Sequence, residues 1–241
     1  MKDIDLQVDG LQLKAELFAP NVAKGKRPGV LLIHGWESAQ DRMFGLAEEL
    51  TELGYVCLTI DLRGHGKSEG DHKVYSRKEF LADVAAAYDF LSAQEQVDPG
   101  RIVSIGSSFG GYLSALLSAQ RKLSGMVLRV PADYRDTGFD APQYSQRKES
   151  DHSEWKSRLH AHDETAALRA VHSFKGSILV IESEYDELVP KTTVESYRDA
   201  VSDKSKVTYV VMKGAPHSIS KYPEFQREFA KIVISWLGEA K

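Results

Sequence analysis

The chain has 241 residues, a formal net charge of −4 and a single cysteine. That length supports one large domain or two small ones with a sizeable core. The mild acidity gives no reason to expect nucleic acid or an anionic membrane as partner, and no run approaches the 18 apolar residues of a membrane span.

Met1–Leu6 has no apolar segment of the secretory kind, so no signal peptide is expected. Cys57 lies in the apolar run Tyr55–Ile60 and has no second cysteine to pair with. It reads as a small buried hydrophobe in a cytoplasmic protein.

In chain order, Ile4–Val8 and Leu11–Leu17 alternate apolar and polar residues around Asp9-Gly10, the pattern of a β-hairpin. The continuous apolar run from Gly29 to His34 then predicts a strand covered on both faces. A helix over about 41–53 and a strand over Tyr55–Ile60 follow. After a Gly-rich loop, Phe80, Leu81, Val84, Ala87, Tyr88 and Leu91 recur at helical spacing between Lys78 and Gln94. A strand from Arg101, a helix after Gly111, and a strand over Gly125–Val130 come next. Ser177–Ile181 and Lys206–Met212 read as strands around a helix near 191–201, and a helix bearing Phe225, Phe229, Ile232, Val233 and Trp236 closes the chain.

This alternation predicts an α/β fold over residues 1–241: a mainly parallel central sheet, helices on both faces, and an N-terminal antiparallel hairpin. Reactive groups in such sheets gather at the carboxyl ends of the strands. Between Pro131 and Ser177 lie about 45 residues, more than one crossover helix needs. Asp163–Phe174 supplies that helix, with Ala166, Leu168 and Val171 as its apolar positions. The first part, about 132–162, carries charges and the aromatics Tyr134, Phe139, Tyr144 and Trp155. It reads as a small cap insertion, because a structureless loop of that length is uncommon in a compact domain.

Gly106, Ser108 and Gly110 fit G-x-S-x-G, a strand–turn–helix device that raises a serine hydroxyl out of the backbone. Three common residues match such a pattern by chance roughly 0.1 times in a chain this long, so its context must carry it. The flanking strand and helix supply part of that context. The rest must come from a base and an acid, since a serine hydroxyl is a poor nucleophile alone.

His217, in Lys213-Gly214-Ala215-Pro216-His217, follows the last apolar strand and so sits at a carboxyl end. Asp186 lies between serine and histidine, on the loop after Ser177–Ile181. Glu182, Glu184 and Glu187 compete with it, but the loop position of Asp186, closed by Val189-Pro190, fits the expected orienting carboxylate. For the oxyanion hole, the amide of Phe109 directly after the nucleophile is one donor. The amide of Trp36, in His34-Gly35-Trp36, is the second.

With these residues in place the chain resembles the α/β-hydrolase superfamily along essentially its whole length. The matching segments are His34–Trp36, Asp61-Leu62-Arg63-Gly64-His65-Gly66-Lys67-Ser68, Gly106–Gly111, Asp186–Pro190 and Gly214–His217. It is most similar to small single-domain carboxylesterases such as the feruloyl/cinnamoyl esterases, which carry a short insertion at the equivalent place. Dienelactone hydrolases use cysteine at the nucleophile, and haloalkane dehalogenases and epoxide hydrolases use aspartate; Ser108 departs from all three. Ser183 departs from the glycine that relatives often place before the acid loop. The resemblance implies that Gly64 and Gly66 shape a structural turn and that His65 is not a second base.

The expected activity is hydrolysis of small or medium carboxylic esters, including aromatic or hydroxycinnamoyl esters, through an acyl-enzyme on Ser108. Phe139, Tyr144 and Trp155 are the candidate substrate contacts, with packing of the cap as their other role. No cofactor and no metal are expected, and His160-x-His162 reads as solvated cap residues. A small-molecule ester is the expected partner, and a homodimer stays open. The same triad would also serve a thioesterase, a short-peptide peptidase or an acyltransferase. A non-catalytic hydrolase-fold binding protein is the alternative of another class.

Overall fold

The computed structural model describes residues 1–20, 25–146 and 155–239. Its elements in chain order are β1 (Lys2–Val8), β2 (Leu11–Phe18), β3 (Arg27–Ile33), α1 (Phe44–Glu52), β4 (Val56–Ile60), α2 (Arg77–Ser92), β5 (Val97–Ser107) and α3 (Phe109–Leu117). Then come β6 (Gly125–Arg129), α4 (Gln143–Gln146), α5 (Ala166–Ser173), β7 (Ser177–Tyr185), α6 (Lys191–Ala200), β8 (Val207–Pro216) and α7 (Pro223–Glu239). The strands form one sheet in the order β1-β2-β4-β3-β5-β6-β7-β8. The hairpin β1–β2 and its junction with β4 are antiparallel, and every other pairing is parallel.

The apolar runs divide by parity, because successive side chains of a strand point to opposite faces. Leu31, Ile33, Leu58 and Ile60 pack with α2, α3, α5 and α6. Val30, Leu32, Cys57, Ile105 and Leu179 pack with α1 and α7 on the other face. Cys57 is buried there, and burial pushes its thiol up to about 12. Helix α2 starts one residue earlier than its apolar spacing predicts. Ser76 and Glu79 form a capping box, in which the Ser76 hydroxyl accepts the Glu79 N–H and the Glu79 carboxylate accepts the Ser76 N–H.

The loops at the carboxyl ends are braced by buried polar groups. After β3, the His34 Nδ1–H donates to the Gly35 carbonyl at 2.7 Å, and His34 Nε2 accepts the Leu62 N–H at 3.1 Å. One neutral imidazole thus ties the loop after β3 to the loop after β4. Asp61 accepts the backbone N–H groups of Gln40 and Lys67. Arg63, buried, donates through Nε and Nη2 to buried Asp83 of α2. Gly64 and Gly66 take φ of +69° and +52°, as the turn reading of this loop requires. His65 is buried against His34, Trp36 and His72, which fits the structural reading.

Of the expected cap, residues 147–154 lie outside the described residues. Before them, Arg77 holds the carbonyls of Arg135 and Thr137, and buried Asp133 accepts the Thr165 hydroxyl. The solvated reading of His160 needs correction. It is buried, stacks on Trp155 with ring centroids 4.2 Å apart, and lies 3.1 Å from the Glu164 carboxylate through Nδ1. His162 stacks on His172.

Two outcomes follow from this packing. A Cβ at Gly110 would lie 2.3 Å from the carbonyl oxygen of Ile33. Gly110→Ala is therefore expected to cost about 1–3 kcal/mol or more, read as a lower urea midpoint. An unchanged midpoint would show that α3 stands off from β3. The second outcome concerns pH. Burial pulls His34 and His65 from the ordinary 6.5 down to about 4, so the fold holds both neutral. Their contribution to stability is complete above pH 6.5 and is lost as pH falls from there toward about 4. Burial raises Asp133 from 3.8 to about 7, so its contribution has the opposite sign and fades as pH rises across that range. Melting temperatures recorded from pH 8 to 4 should fall less steeply in His34→Gln than in wild type, and more steeply in Asp133→Asn. Identical slopes would refute the assignment.

Candidate active site

Strand β5 delivers Ser108 to the middle of the carboxyl edge. Its φ of +54° and ψ of −116° are strained for a residue with a side chain, and they turn the hydroxyl outward. The turn closes only because its flanks are glycine. A Cβ at Gly106 would lie 2.2 Å from the Gly110 carbonyl oxygen, and one at Gly110 would strike the end of β3.

The loop after β8 brings the His217 Nε2 to 3.1 Å from the Ser108 Oγ. On the other side of the ring, Nδ1 lies 2.7 and 2.9 Å from the two carboxylate oxygens of Asp186. A carboxylate only accepts, so Nδ1 carries the proton and Nε2 is left to accept from the serine hydroxyl. Asp186 is fixed by its own turn, since its Oδ1 also accepts the N–H groups of Leu188 and Val189 at 2.9 and 2.7 Å. The side chains of Asp186 and His217 are 5% and 11% exposed, dry enough to strengthen the charge–dipole interaction between them.

Each rival carboxylate is engaged elsewhere. Glu182 accepts the Tyr209 hydroxyl. Glu184 accepts the Gly214 N–H and pairs with Lys213, and Glu187 accepts the backbone N–H of His217. Glu182 and Glu184 hold strand β8 and Glu187 holds the start of the loop after it, and the hydrogen bonds to the imidazole nitrogens come from Asp186 and Ser108.

The two segments expected to supply oxyanion donors begin at Phe109 and Gly35. Phe109 opens α3, so its N–H has no carbonyl a turn earlier to bond within the helix. It also lies at the positive end of the helix dipole. Across the site, the backbone at Gly35 approaches so closely that a Cβ there would be 3.4 Å from the Ser108 Cβ. Trp36 follows directly, its ring packed edge-on against Phe109, Phe80, His65 and His72.

A cavity of about 960 Å³ opens beside Ser108 and His217. Its apolar wall comes from Met43 and Leu46 on one side, Phe229 and Ala230 of α7 on another, and Leu188 and Val189 of the acid loop. The 132–162 segment contributes Ala132, Tyr134 and Lys156. The three aromatic residues expected to touch substrate stand elsewhere among the described residues. Phe139 faces the Arg77 guanidinium, Tyr144 lies near His72 and Lys73, and Trp155 stacks on His160 and Arg135. Each ring lies against a cation or an imidazole. The residues at the cavity wall on α1 and α7 carry no motif; their only signal is amphipathic helix periodicity, which reads as core.

Sequence reasoning also passed over Arg129. It lies at the end of β6, buried, and hydrogen-bonds around the triad. A lone arginine closing the apolar run Met126-Val127-Leu128 was the available signal.

Among the described residues no helix is long and apolar enough to cross a membrane. Comparison with known proteins agrees with the geometry. The Mycobacterium tuberculosis protein Rv2307c is 30% identical over 212 residues, 87% of this chain and 69% of that protein. Human mitochondrial palmitoyl-protein thioesterase ABHD10 is 29% identical over 139 residues, 54% of this chain and 44% of that protein. The solved structure of Est1E from Butyrivibrio proteoclasticus with ferulic acid superposes with a TM-score of 0.74 at 20% identity, covering 98% of each chain. Residues 25–148, from β3 through the elbow to α4, match the serine aminopeptidase S33 family. With that match and an eight-stranded sheet of this topology, the chain is a hydrolase of the α/β-hydrolase superfamily and belongs to the serine aminopeptidase S33 family.

Proposed function

We propose that the protein hydrolyses small or medium carboxylic esters through an acyl-enzyme on Ser108. The observation that carries this reading is the hydrogen-bond chain from Ser108 Oγ through His217 to Asp186, opening on the cavity. His217 takes the hydroxyl proton as Ser108 attacks the ester carbonyl, and Asp186 stabilises the imidazolium that forms. The amides of Trp36 and Phe109 hold the developing oxyanion; one such donor is typically worth about 100- to 1000-fold in kcat. His217 then returns the proton to the leaving alcohol, and water releases the acid by the same steps.

The cavity wall mixes charged and polar groups with an apolar part between α1 and α7, and that part has room for an apolar acyl or alcohol group. That apolar part would accept an aromatic acid such as the ferulic acid bound to Est1E. It would equally accept an acyl thioester, the reading favoured by the likeness to a palmitoyl-protein thioesterase.

A panel of p-nitrophenyl and hydroxycinnamate esters of graded size, run beside acyl thioesters, measures this preference. Ser108→Ala is expected to abolish turnover of the best substrate, and Asp186→Asn to lower kcat by about 10⁴-fold with the fold intact. Wild-type turnover in Ser108→Ala would remove Ser108 as nucleophile. Folded wild-type protein that takes no fluorophosphonate adduct would point to a binding protein instead.

A further inference from the structure

The carboxyl end of β6 holds a charge that the triad chemistry above does not use. Arg129 follows Met126-Val127-Leu128, all buried, where another apolar side chain would complete the strand. The residue is 3% exposed. Burying a cation costs several kcal/mol unless partners compensate, so its contacts identify its purpose.

Those contacts fall on three loops. Nη1 donates to the Ser107 Oγ of the elbow at 3.1 Å. Nη2 donates to the Ser183 Oγ of β7 at 3.1 Å, to the Pro216 carbonyl at 3.3 Å and to the His217 carbonyl at 2.8 Å. The backbone carbonyl of Arg129 accepts the N–H of Ser108 itself at 2.9 Å. The cation lies over the Phe229 ring at 5.9 Å, and Nε is buried with no hydrogen-bond partner. Asp186 is the carboxylate whose charge acts on it. The next residue, Val130, holds φ of +41°, a costly conformation for a β-branched side chain. Strain and an orphaned donor are tolerated here, as happens where geometry at a functional site is over-determined.

We propose that Arg129 is a positioning residue for catalysis, a single guanidinium that sets the distance between the nucleophile elbow, the acid strand and the carbonyl of the histidine base. The planar fork does this with divergent donors, which a lysine cannot reproduce in full. Ser183, in place of the more usual glycine, is then the partner that completes the clamp. The proposal rests on the Ser108–His217–Asp186 reading.

The test compares wild type, Arg129→Met, Arg129→Lys and Ser183→Ala. Each is measured for the rate of fluorophosphonate labelling at Ser108, kcat and KM on a p-nitrophenyl ester, the low-field proton resonance of His217 Nδ1–H, and thermal unfolding. Arg129→Met should label roughly 100-fold more slowly, with the loss in kcat and little change in KM, since a displacement of about 1 Å suffices for that factor. Its low-field resonance should shift or vanish. Arg129→Lys should recover part of the rate, and Ser183→Ala should lose less than Arg129→Met. If Arg129→Met labels at the wild-type rate with the resonance in place, the positioning role is overturned and the triad stands. If wild type takes no label, both readings fall. Should Arg129→Met not fold, wild-type rates in both Arg129→Lys and Ser183→Ala would overturn the clamp, and reduced kcat in folded protein would support it.

Discussion

Everything at the carboxyl end of the sheet depends on how closely the first turn of α3 approaches the end of β3. Gly110 lies directly against the carbonyls of Ile33 and His34, with no room for a side chain between them. That contact bends the chain sharply at Ser108 and forces its φ positive. Gly35, two residues on from Ile33, lies beside the elbow, where a Cβ would be 3.3 Å from the Ser107 carbonyl oxygen. The elbow is thus set by one interaction between two backbones, and side chains are absent from it by necessity.

The remaining parts are spaced by buried polar groups where regular structure has ended. His34 spans the loops after β3 and β4, Asp61 gathers the turn around Gln40 and Lys67, and Arg129 spans β5, β7 and the β8 loop. A buried polar group costs free energy unless satisfied, and the loops at this edge satisfy most of these donors and acceptors, the Arg129 Nε excepted. The same desolvation that holds His34 neutral makes each brace specific to one loop arrangement.

Much of this was legible in the sequence because it rests on local rules. Parity of apolar residues gave the two faces of the sheet, and G-x-S-x-G sat where a strand met a helix. Asp186 stood out from three neighbouring glutamates by its loop position, closed by Val189-Pro190; in the fold its carboxylate accepts the Leu188 and Val189 amides. What stayed hidden depends on tertiary placement. Phe139, Tyr144 and Trp155 are aromatic and lie in the insertion, yet whether a ring meets ligand or a neighbouring cation is decided by packing between distant segments. The cavity wall on α1 and α7 looks like any amphipathic helix face until the strand order sets the two helices side by side. Arg129 was visible as an oddity in an apolar run, but its partners lie 22, 54 and 88 positions away.

The strand order also gives the parts of the site unequal exposure to loss. Ser108 leaves from β5, flanked by strands on both sides, whereas His217 leaves from β8, the outermost strand, paired along one edge only. Rims of sheets open at lower free energy than their centres. On the proposed reading, the base is therefore carried by an edge strand and the nucleophile by an interior one. On that reading, a local opening of the β7–β8 rim would part base from nucleophile while the other strands stay paired.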